Sequence, residues 1–344
     1  MSVAVLKSGL LTTLQDCGRC GFAAIGVGHA GPMDEVSFRL ANALVGNADT
    51  VVALEISVLG PRLRFETDAT IALTGAHFDM HIDARIAPLW RRTRITAGSV
   101  LDVGSVKYGA RAYLAVAGGF AVDAVLGSRS TDVNAGLGPL NGRPLAAGDR
   151  LVISTDLPAA SHDAPPPHRS TRTVEASSLK PRRPTSAWSL DPRPWFDADI
   201  NQPIRLIRGA HWAALDPASR AALFAHEFRI GADSNRVGYR LEGPGLALGA
   251  PLELISEAVA FGTLQLPPGG QPIALMAEHP TTGGYPRIGQ VAAIDLPRLA
   301  QRRPGDHVRF LETGMDEAQT RYLARERALA RLIDVIATRI TTHD

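Results

Sequence analysis

A glycine-rich run with hydroxyl side chains is the part of this chain best suited to bind a small polar ligand. It spans residues 281–288, TTGGYPRI, between two apolar segments of strand character. Gly283 and Gly284 let a ligand approach the main chain closely, and Thr282 and Tyr285 place hydroxyl groups beside it. The alternative is a tight turn between two strands, which the same residues also favour.

Two further segments share the pattern Asp-x-x-Arg-x-Gly-aromatic, and each is followed downstream by apolar-x-Gly-Pro-x-Leu. This repetition favours two related domains with rearranged or inserted elements, although short glycine-rich pieces also resemble one another by chance. The pattern residues are Asp16, Arg19, Gly21 and Phe22 in the first segment and Asp233, Arg236, Gly238 and Tyr239 in the second.

Charged groups in both segments could act on a small molecule. Arginine side chains bind carboxylates through their forked guanidinium groups, and Asp or Tyr can handle a proton. The alternative is structural, because Asp16 could pair with Arg19, and Asp233 with Arg236, as ordinary ion pairs.

Amide side chains near the same segments could recognise an amide or ureido group through paired donor and acceptor contacts. The candidates are Gln15, Asn235 and Gln265. Glu257 and Glu278 could also enter such a site.

Metal and redox chemistry is not favoured. The run at residues 77–83, HFDMHID, places His and Asp on one face of a strand, and alternation alone predicts a half-exposed strand with that face in water. Cys17 and Cys20 have no second cysteine pair to complete a structural zinc site, and the glycines around them predict a loop rather than a redox helix. We therefore predict no metal site.

Composition indicates an ordinary globular protein of two domains. The chain has 344 residues, of which 45% are hydrophobic and 20% charged, and its net charge is +2. We expect no nucleic-acid partner, no membrane span and no secretory signal, and therefore a cytoplasmic location. Phosphate-loop and nucleophile-elbow motifs are missing from the sequence.

Short apolar runs separated by Gly, Pro, Asp or Asn predict a mainly β chain with a few helices, built as barrels or sandwiches. One predicted strand covers residues 252–255, LELI. We predict helices at 34–45, from Asp216, at 295–301 and near the C-terminus. The last has an apolar stripe that is typical of core or subunit contacts. Its members are Leu329, Leu332, Ile333, Ile336 and Ile340.

Several motifs along the chain resemble, in their residues and their order, those of the KipA family. This family is also called allophanate hydrolase subunit 2 or the C-type subunit of 5-oxoprolinase. The same module resembles half of the carboxyltransferase region of urea carboxylase. The similarity runs nearly from end to end. The matching segments are residues 9–19, 26–34, 39–47, 54–56, 234–241 and 281–288.

This resemblance implies a fold and an assembly. It implies two cyclophilin-like β-barrel domains, 1–154 and 200–344, with a Pro-rich linker or crossing segment at 155–199 and a C-terminal helix on the second barrel. It also implies a KipI-like partner (the B-type subunit of 5-oxoprolinase) and a third, LamB/YcsF-type subunit, which together open 5-oxo-L-proline to L-glutamate with ATP. One alternative is carboxyl transfer to urea or a similar amide, with biotin carried by another chain. Another is a non-catalytic regulator that binds KipI.

The family motifs also imply site residues. Asp16, Arg236 and Tyr239 are the expected catalytic residues: Arg236 would orient a carboxylate or carbonyl oxygen, and Tyr239 or Asp16 would assist proton movement. The residues expected to bind a small amide substrate are Gln15, Arg19, Asn235, Thr282, Gly283, Gly284 and Tyr285.

Overall fold

The computed structural model describes residues 1–154, 188–197, 199 and 201–343. Most of the predicted linker, 155–199, lies outside these residues. Its described part packs on the protein through Trp188, Leu190, Trp195 and Phe196, which contact one of the apolar clusters.

The first half of the chain forms a nine-stranded sheet, here called the N-terminal sheet. Its strands pair antiparallel in the order β2-β3-β8-β4-β1-β9, and the long strand β5 pairs with β6, β7 and β8 to give a half-barrel. The strands are β1 Ser2–Lys7, β2 Leu11–Gln15, β3 Ala53–Ser57, β4 Arg62–Phe65, β5 Ala69–Ile82, β6 Arg85–Ile86, β7 Thr93–Ile95, β8 Val100–Val116 and β9 Arg150–Val152.

The second half forms a closed barrel, here called the C-terminal barrel, with a small two-stranded ribbon beside it. The barrel order is β10-β17-β14-β15-β12-β11-β18, and β13 pairs with β16 in the ribbon. The strands are β10 Ile204–Arg208, β11 Glu227–Ile230, β12 Gly238–Glu242, β13 Glu257–Ala258, β14 Thr263–Gln265, β15 Ile273–Leu275, β16 Thr282–Gly283, β17 Arg287–Val291 and β18 His307–Glu312.

Five α-helices within the described residues complete the fold: α1 Glu35–Val45, α2 Pro139–Gly142, α3 Pro217–Ala225, α4 Leu296–Ala300 and α5 Met315–His343. The Asp34 side chain caps α1 by accepting from Ser37 N at 3.0 Å, and Gly46 ends it at φ 82°. The predicted fold class, mainly β with a few helices, is confirmed. None of the described helices is long and apolar enough to cross a membrane.

Helix α5 lies against α1, so the last element of the chain packs on the first half. Leu329 and Ile336 are buried to 0% and 2% exposure in a cluster that includes Phe38 and Leu40 of α1. The predicted apolar stripe is therefore core, and α5 connects the two halves.

The strand predicted at 252–255 is wrong. These residues form neither strand nor helix, and Ile255 is 89% exposed. The apolar and β-favouring composition is present, but within the described residues no neighbouring strand pairs with this segment. Strand propensity by itself does not supply that pairing.

Candidate functional site

Arg236 lies at the centre of a buried ion-pair network where the N-terminal sheet meets the C-terminal barrel. Its Nη1 donates to Glu55 Oε1 on β3, and its Nε donates to Glu278 Oε1 at 2.5 Å. Its Nη2 donates to the carbonyl oxygen of Gly31 at 2.7 Å. The three charged side chains are at most 3% exposed. The guanidinium group therefore joins a carboxylate of one half to a carboxylate of the other.

Glu55 is held ionised by its surroundings. Its Oε2 accepts from Met33 N at 2.9 Å and from the Tyr113 hydroxyl at 2.7 Å. Burial alone would raise the pKa of Glu55, but the charges of Arg236 and Arg111 outweigh it and hold the pKa below its usual value. The carboxylate is thus an anionic anchor for the arginines around it.

Tyr239 extends the network on the other side of Arg111. Arg111 Nη1 donates to the Tyr239 hydroxyl at 2.7 Å, and that hydroxyl donates to the carbonyl oxygen of Arg302 at 3.2 Å. Burial raises the pKa of Tyr239, so it stays protonated at neutral pH. Gln301 adds a further link, accepting from Arg111 N at 2.9 Å and donating to Asp34 at 2.7 Å.

Asp16 organises a loop of the first half. Its Oδ1 accepts from Ser128 Oγ at 2.5 Å, Ser130 Oγ at 2.7 Å and Gly18 N at 2.9 Å, and its Oδ2 accepts from Arg129 N at 2.6 Å. It makes no ion pair with Arg19. The structural alternative of local Asp–Arg pairs is therefore wrong here, and equally in the second segment, where Arg236 pairs with Glu55 and Glu278.

Next to this loop, three buried polar atoms lack a hydrogen-bond partner within the described residues. They are Gln15 Oε1, Arg19 Nη1 and Thr131 Oγ1, and we call them the unpaired trio. The three side chains are at most 2% exposed. Leaving a polar group buried and unsatisfied costs about 1–3 kcal/mol, so such groups in a native protein call for an explanation.

Thr131 lies in this loop, and hydrogen bonds to the loop hold the side chains of Gln15 and Arg19. Gln15 Nε2 donates to the carbonyl oxygen of Thr131 at 2.9 Å, and Arg19 donates through Nη2 to that of Ser130 and through Nε to that of Val125 at 3.1 Å. One acceptor and two potential donors are thus fixed around residues 130–131. This set complements an amide group, which presents an N–H donor beside a C=O acceptor.

The second half of the chain reaches this cluster through Glu278 and His279. Burial lowers the pKa of Arg19, and the charges of Asp16, Asp132 and Glu278 act in the opposite direction. A Cβ atom on Gly28 would lie 3.4 Å from the carbonyl oxygen of His279. Arg19 N donates to the carbonyl oxygen of His29 at 2.7 Å, and Arg236 Nη2 donates to that of Gly31, so the first-segment cluster and the Arg236 network meet at residues 29–31.

The other predicted binding residues lie on the surface. Asn235 is exposed and accepts from Val237 N at 2.8 Å, which closes a turn. Thr282 and Gly283 form β16, and Gly284 and Tyr285 follow it, with Tyr285 45% exposed. β16 follows Glu278 in the chain, but its ladder partners are Glu257 and Ala258 rather than the buried network.

A side chain at position 283 would have to displace that of Gln265. A Cβ atom there would lie 2.4 Å from Gln265 Nε2, a buried donor without a partner among the described residues. Next to Arg287 of the TTGGYPRI run lies a cleft of about 330 Å³, which Arg208 and Gln290 also line in part. The TTGGYPRI run thus borders an open cleft, and the trio lies inside the protein.

Sequence reasoning missed the residues that connect the halves, namely Glu55, Arg111 and Gln301. A signal for two of them was present. Glu55 is the only charge in the short strand β3, and Arg111 interrupts an alanine-rich part of β8. A charge in such a strand is buried and therefore needs a partner, which the pattern cannot identify.

The described residues contain no group of three or more His, Cys, Asp or Glu side chains arranged to hold a metal ion. Cys17 and Cys20 are free thiols, and Cys20 Sγ lies 3.5 Å from His29 Nε2.

Comparison with known proteins gives consistent matches over nearly the whole chain. The family model for the carboxyltransferase domain, subdomain A and B, matches residues 25–312. The C-type subunit of the Haemophilus influenzae 5-oxoprolinase is 35% identical over 306 residues, which cover 89% of each chain. That of Escherichia coli K12 is 36% identical over 315 residues, covering 91% of this chain and 92% of the relative. The crystal structure of the Kluyveromyces lactis urea carboxylase superposes with a TM-score of 0.83 at 28% identity, over 97% of this chain and 29% of that one.

Proposed function

Because this chain belongs to the carboxyltransferase-domain family, subdomain A and B, we propose that it is the C-type subunit of a 5-oxoprolinase, a hydrolase that opens 5-oxo-L-proline to L-glutamate with ATP. The observation that carries the proposal is the similarity, at 35% and 36% identity over about nine-tenths of both chains, to two proteins that bear the name of this 5-oxoprolinase subunit. The complex works in the cytoplasm with a KipI-like subunit and a LamB/YcsF-type subunit.

The unpaired trio suits the substrate. A lactam presents its N–H and C=O on the same side, as one donor next to one acceptor. Gln15 Oε1 would accept from the lactam N–H, while Arg19 Nη1 and Thr131 Oγ1 would donate to the carbonyl oxygen or the carboxylate. Binding would then satisfy atoms that have no partner among the described residues.

In our proposal, Asp16 and Arg236 hold in place the residues that make this arrangement. Asp16 holds the loop that carries Thr131, and Arg236 holds Glu278, whose charge acts on Arg19. Both would act as positioning residues. Proton transfer by Asp16 or Tyr239 stays a prediction.

Carboxyl transfer to urea is the second candidate, and the superposition on a urea carboxylase favours it. Urea also presents N–H and C=O groups that the trio could bind. This reaction would need carboxybiotin carried on another chain.

Reconstitution of the complex tests the proposal. Purified chain, KipI-like subunit and LamB/YcsF-type subunit from the same organism are mixed with 5-oxo-L-proline and ATP, and glutamate release is measured with each subunit omitted in turn. We expect release only when all three are present. A formed complex that releases no glutamate, but incorporates bicarbonate into urea with a biotin carboxylase, would establish the second candidate instead.

A further inference from the structure

Two buried N–H donors of the C-terminal barrel belong to facing residues of neighbouring strands. Gln265 Nε2 and Arg287 Nε are both buried, and neither has a hydrogen-bond partner among the described residues. Gln265 of β14 lies directly opposite Arg287 of β17 in their antiparallel pair. Side chains of directly opposite residues project from the same face of a sheet. The fold therefore brings two unsatisfied donors to one place.

Both donor side chains contact the same part of the ribbon that β13 and β16 form beside the barrel. Gln265 Nε2 lies against Gly283 of β16, so closely that a Cβ atom would not fit between them. Arg287 Nη2 donates to Glu257 Oε2 of β13. Glu257 and Gly283 are themselves paired in the ribbon. The unpaired donors are thus next to each other under one pair of ribbon residues.

The guanidinium group of Arg287 is only half used on the edge that binds carboxylates. Its Nε and Nη2 atoms form one edge of the planar group, which can hold both oxygens of a carboxylate through two parallel hydrogen bonds. Glu257 accepts from Nη2, whereas Nε has no partner among the described residues. The Glu257 side chain is 48% exposed. It is therefore a carboxylate that a better-fitting one could replace.

The cleft of about 330 Å³ next to Arg287 provides room for such a group. Its other polar side chains already have partners: Thr263 Oγ1 donates to Gln290 Oε1 at 2.9 Å, and Arg208 Nε lies 2.6 Å from Glu312 Oε1. Small or apolar residues form much of the remaining wall, among them Ile207, Ala210, Val259 and Ala260. Pockets for small molecules begin at about 300 Å³, so this cleft suits a compact ligand.

We propose that this cleft and the two donors form a second binding site, for a compact small molecule that carries a carboxylate. The ligand carboxylate replaces that of Glu257 on Arg287, accepting from Nε and Nη2, and also accepts from Gln265 Nε2. The body of the ligand lies against Val259 and Ala260. All residues of this site belong to the C-terminal barrel and its ribbon, whereas the unpaired trio belongs to the first half of the chain. The site stands whether or not the chain is a 5-oxoprolinase subunit.

Calorimetric titration of the purified full chain tests the site. The probes are 5-oxo-L-proline and L-glutamate, two compact carboxylates, and pyrrolidin-2-one, which is the first probe without its carboxylate. We expect at least one carboxylate to bind in the millimolar range or tighter. Pyrrolidin-2-one should leave the affinity for that carboxylate unchanged, because it cannot compete for Arg287.

Two variants remove the unpaired donors. Gln265→Leu and Arg287→Lys should each weaken binding of the carboxylate about tenfold. Gln265→Leu should do so without lowering the stability to urea, because Gln265 Nε2 has no partner to lose among the described residues. Arg229→Lys is the matched control, since Arg229 is also a barrel arginine that donates to an exposed glutamate, Glu242. Its affinity should equal that of the wild type.

Glu257→Gln makes the opposite prediction. It removes the charge that competes for Arg287, so the carboxylate should bind several-fold more tightly. A purely structural Glu257–Arg287 pair predicts no such gain.

Three results would overturn the site. The first is that neither carboxylate binds in the millimolar range. The second is equal affinity of wild type, Gln265→Leu and Arg287→Lys. The third is that Thr131→Val abolishes binding while Gln265→Leu does not, which would place the carboxylate on the unpaired trio. None of these results decides the proposed function, which depends on glutamate release by the reconstituted complex.

Discussion

Arg236 connects carboxylates from both halves of the chain, and its loss would leave both buried without their main cation. All three of its guanidinium nitrogens are used inside the protein. Arg19, its counterpart in the first segment, leaves Nη1 unpaired among the described residues. In one segment the arginine of the pattern thus connects the two halves of the chain, and in the other it keeps a donor unpaired among the described residues. The difference arises because the two arginines have different surroundings.

Arg236→Met should therefore destabilise the protein strongly. Breaking a buried ion pair by removing one partner costs about 3–5 kcal/mol. The free energy of unfolding, measured with urea, should fall by that amount at neutral pH. Arg240→Met is the control, since Arg240 is exposed on β12 and should change the value by less than about 0.5 kcal/mol. An equal effect of both variants would contradict the connecting role.

The loss of unfolding free energy caused by Arg236→Met should also depend on pH. Arg236 helps to hold the pKa of Glu55 below its usual value. A depressed carboxyl pKa adds stability above the pKa of the unfolded chain, and this is lost as pH falls through the folded pKa. The difference in unfolding free energy between wild type and variant should therefore be largest near neutral pH and should decrease below about pH 4.5. A constant gap would contradict the ionised state of Glu55.

At the scale of elements, α5 matters because it packs on α1 rather than only on its own half. Its buried face was predictable, since Leu329, Ile336 and their neighbours repeat with helical spacing. The partner of that face was not, because spacing along the chain does not say which distant element will cover it. The segment at 252–255 shows the converse, a strand sequence without a neighbouring strand.

Leu329→Ala should lower the unfolding free energy by about 2–5 kcal/mol, because it creates a cavity between α5 and α1. Leu323→Ala on the same helix is the control, as Leu323 is 42% exposed. Urea unfolding checks both, and a loss below about 1 kcal/mol for Leu329→Ala would contradict tight packing at this position.

At the scale of the whole molecule, the two halves of the chain contact each other through the buried charged side chains of the Arg236 network. The buried atoms of the unpaired trio lie near this contact. The resemblance to known motifs singled out Gln15, Arg19 and Arg236, and the structure brings Arg19 and Arg236 into contact with the same segment, residues 29–31. It leaves Tyr285 exposed, directly after β16. Thr131 could not be found from the sequence, because its hydroxyl becomes notable only when the fold buries it without a partner.

Thr131→Val tests most directly whether the unpaired trio binds the substrate. The hydroxyl has no partner among the described residues, so its removal should not lower the unfolding free energy. The kcat/KM of the reconstituted complex for 5-oxo-L-proline should nevertheless fall by about tenfold. Thr67→Val is the control, because the Thr67 Oγ1 is also buried and unpartnered among the described residues. A kcat/KM for Thr131→Val equal to that of Thr67→Val would contradict the proposed site.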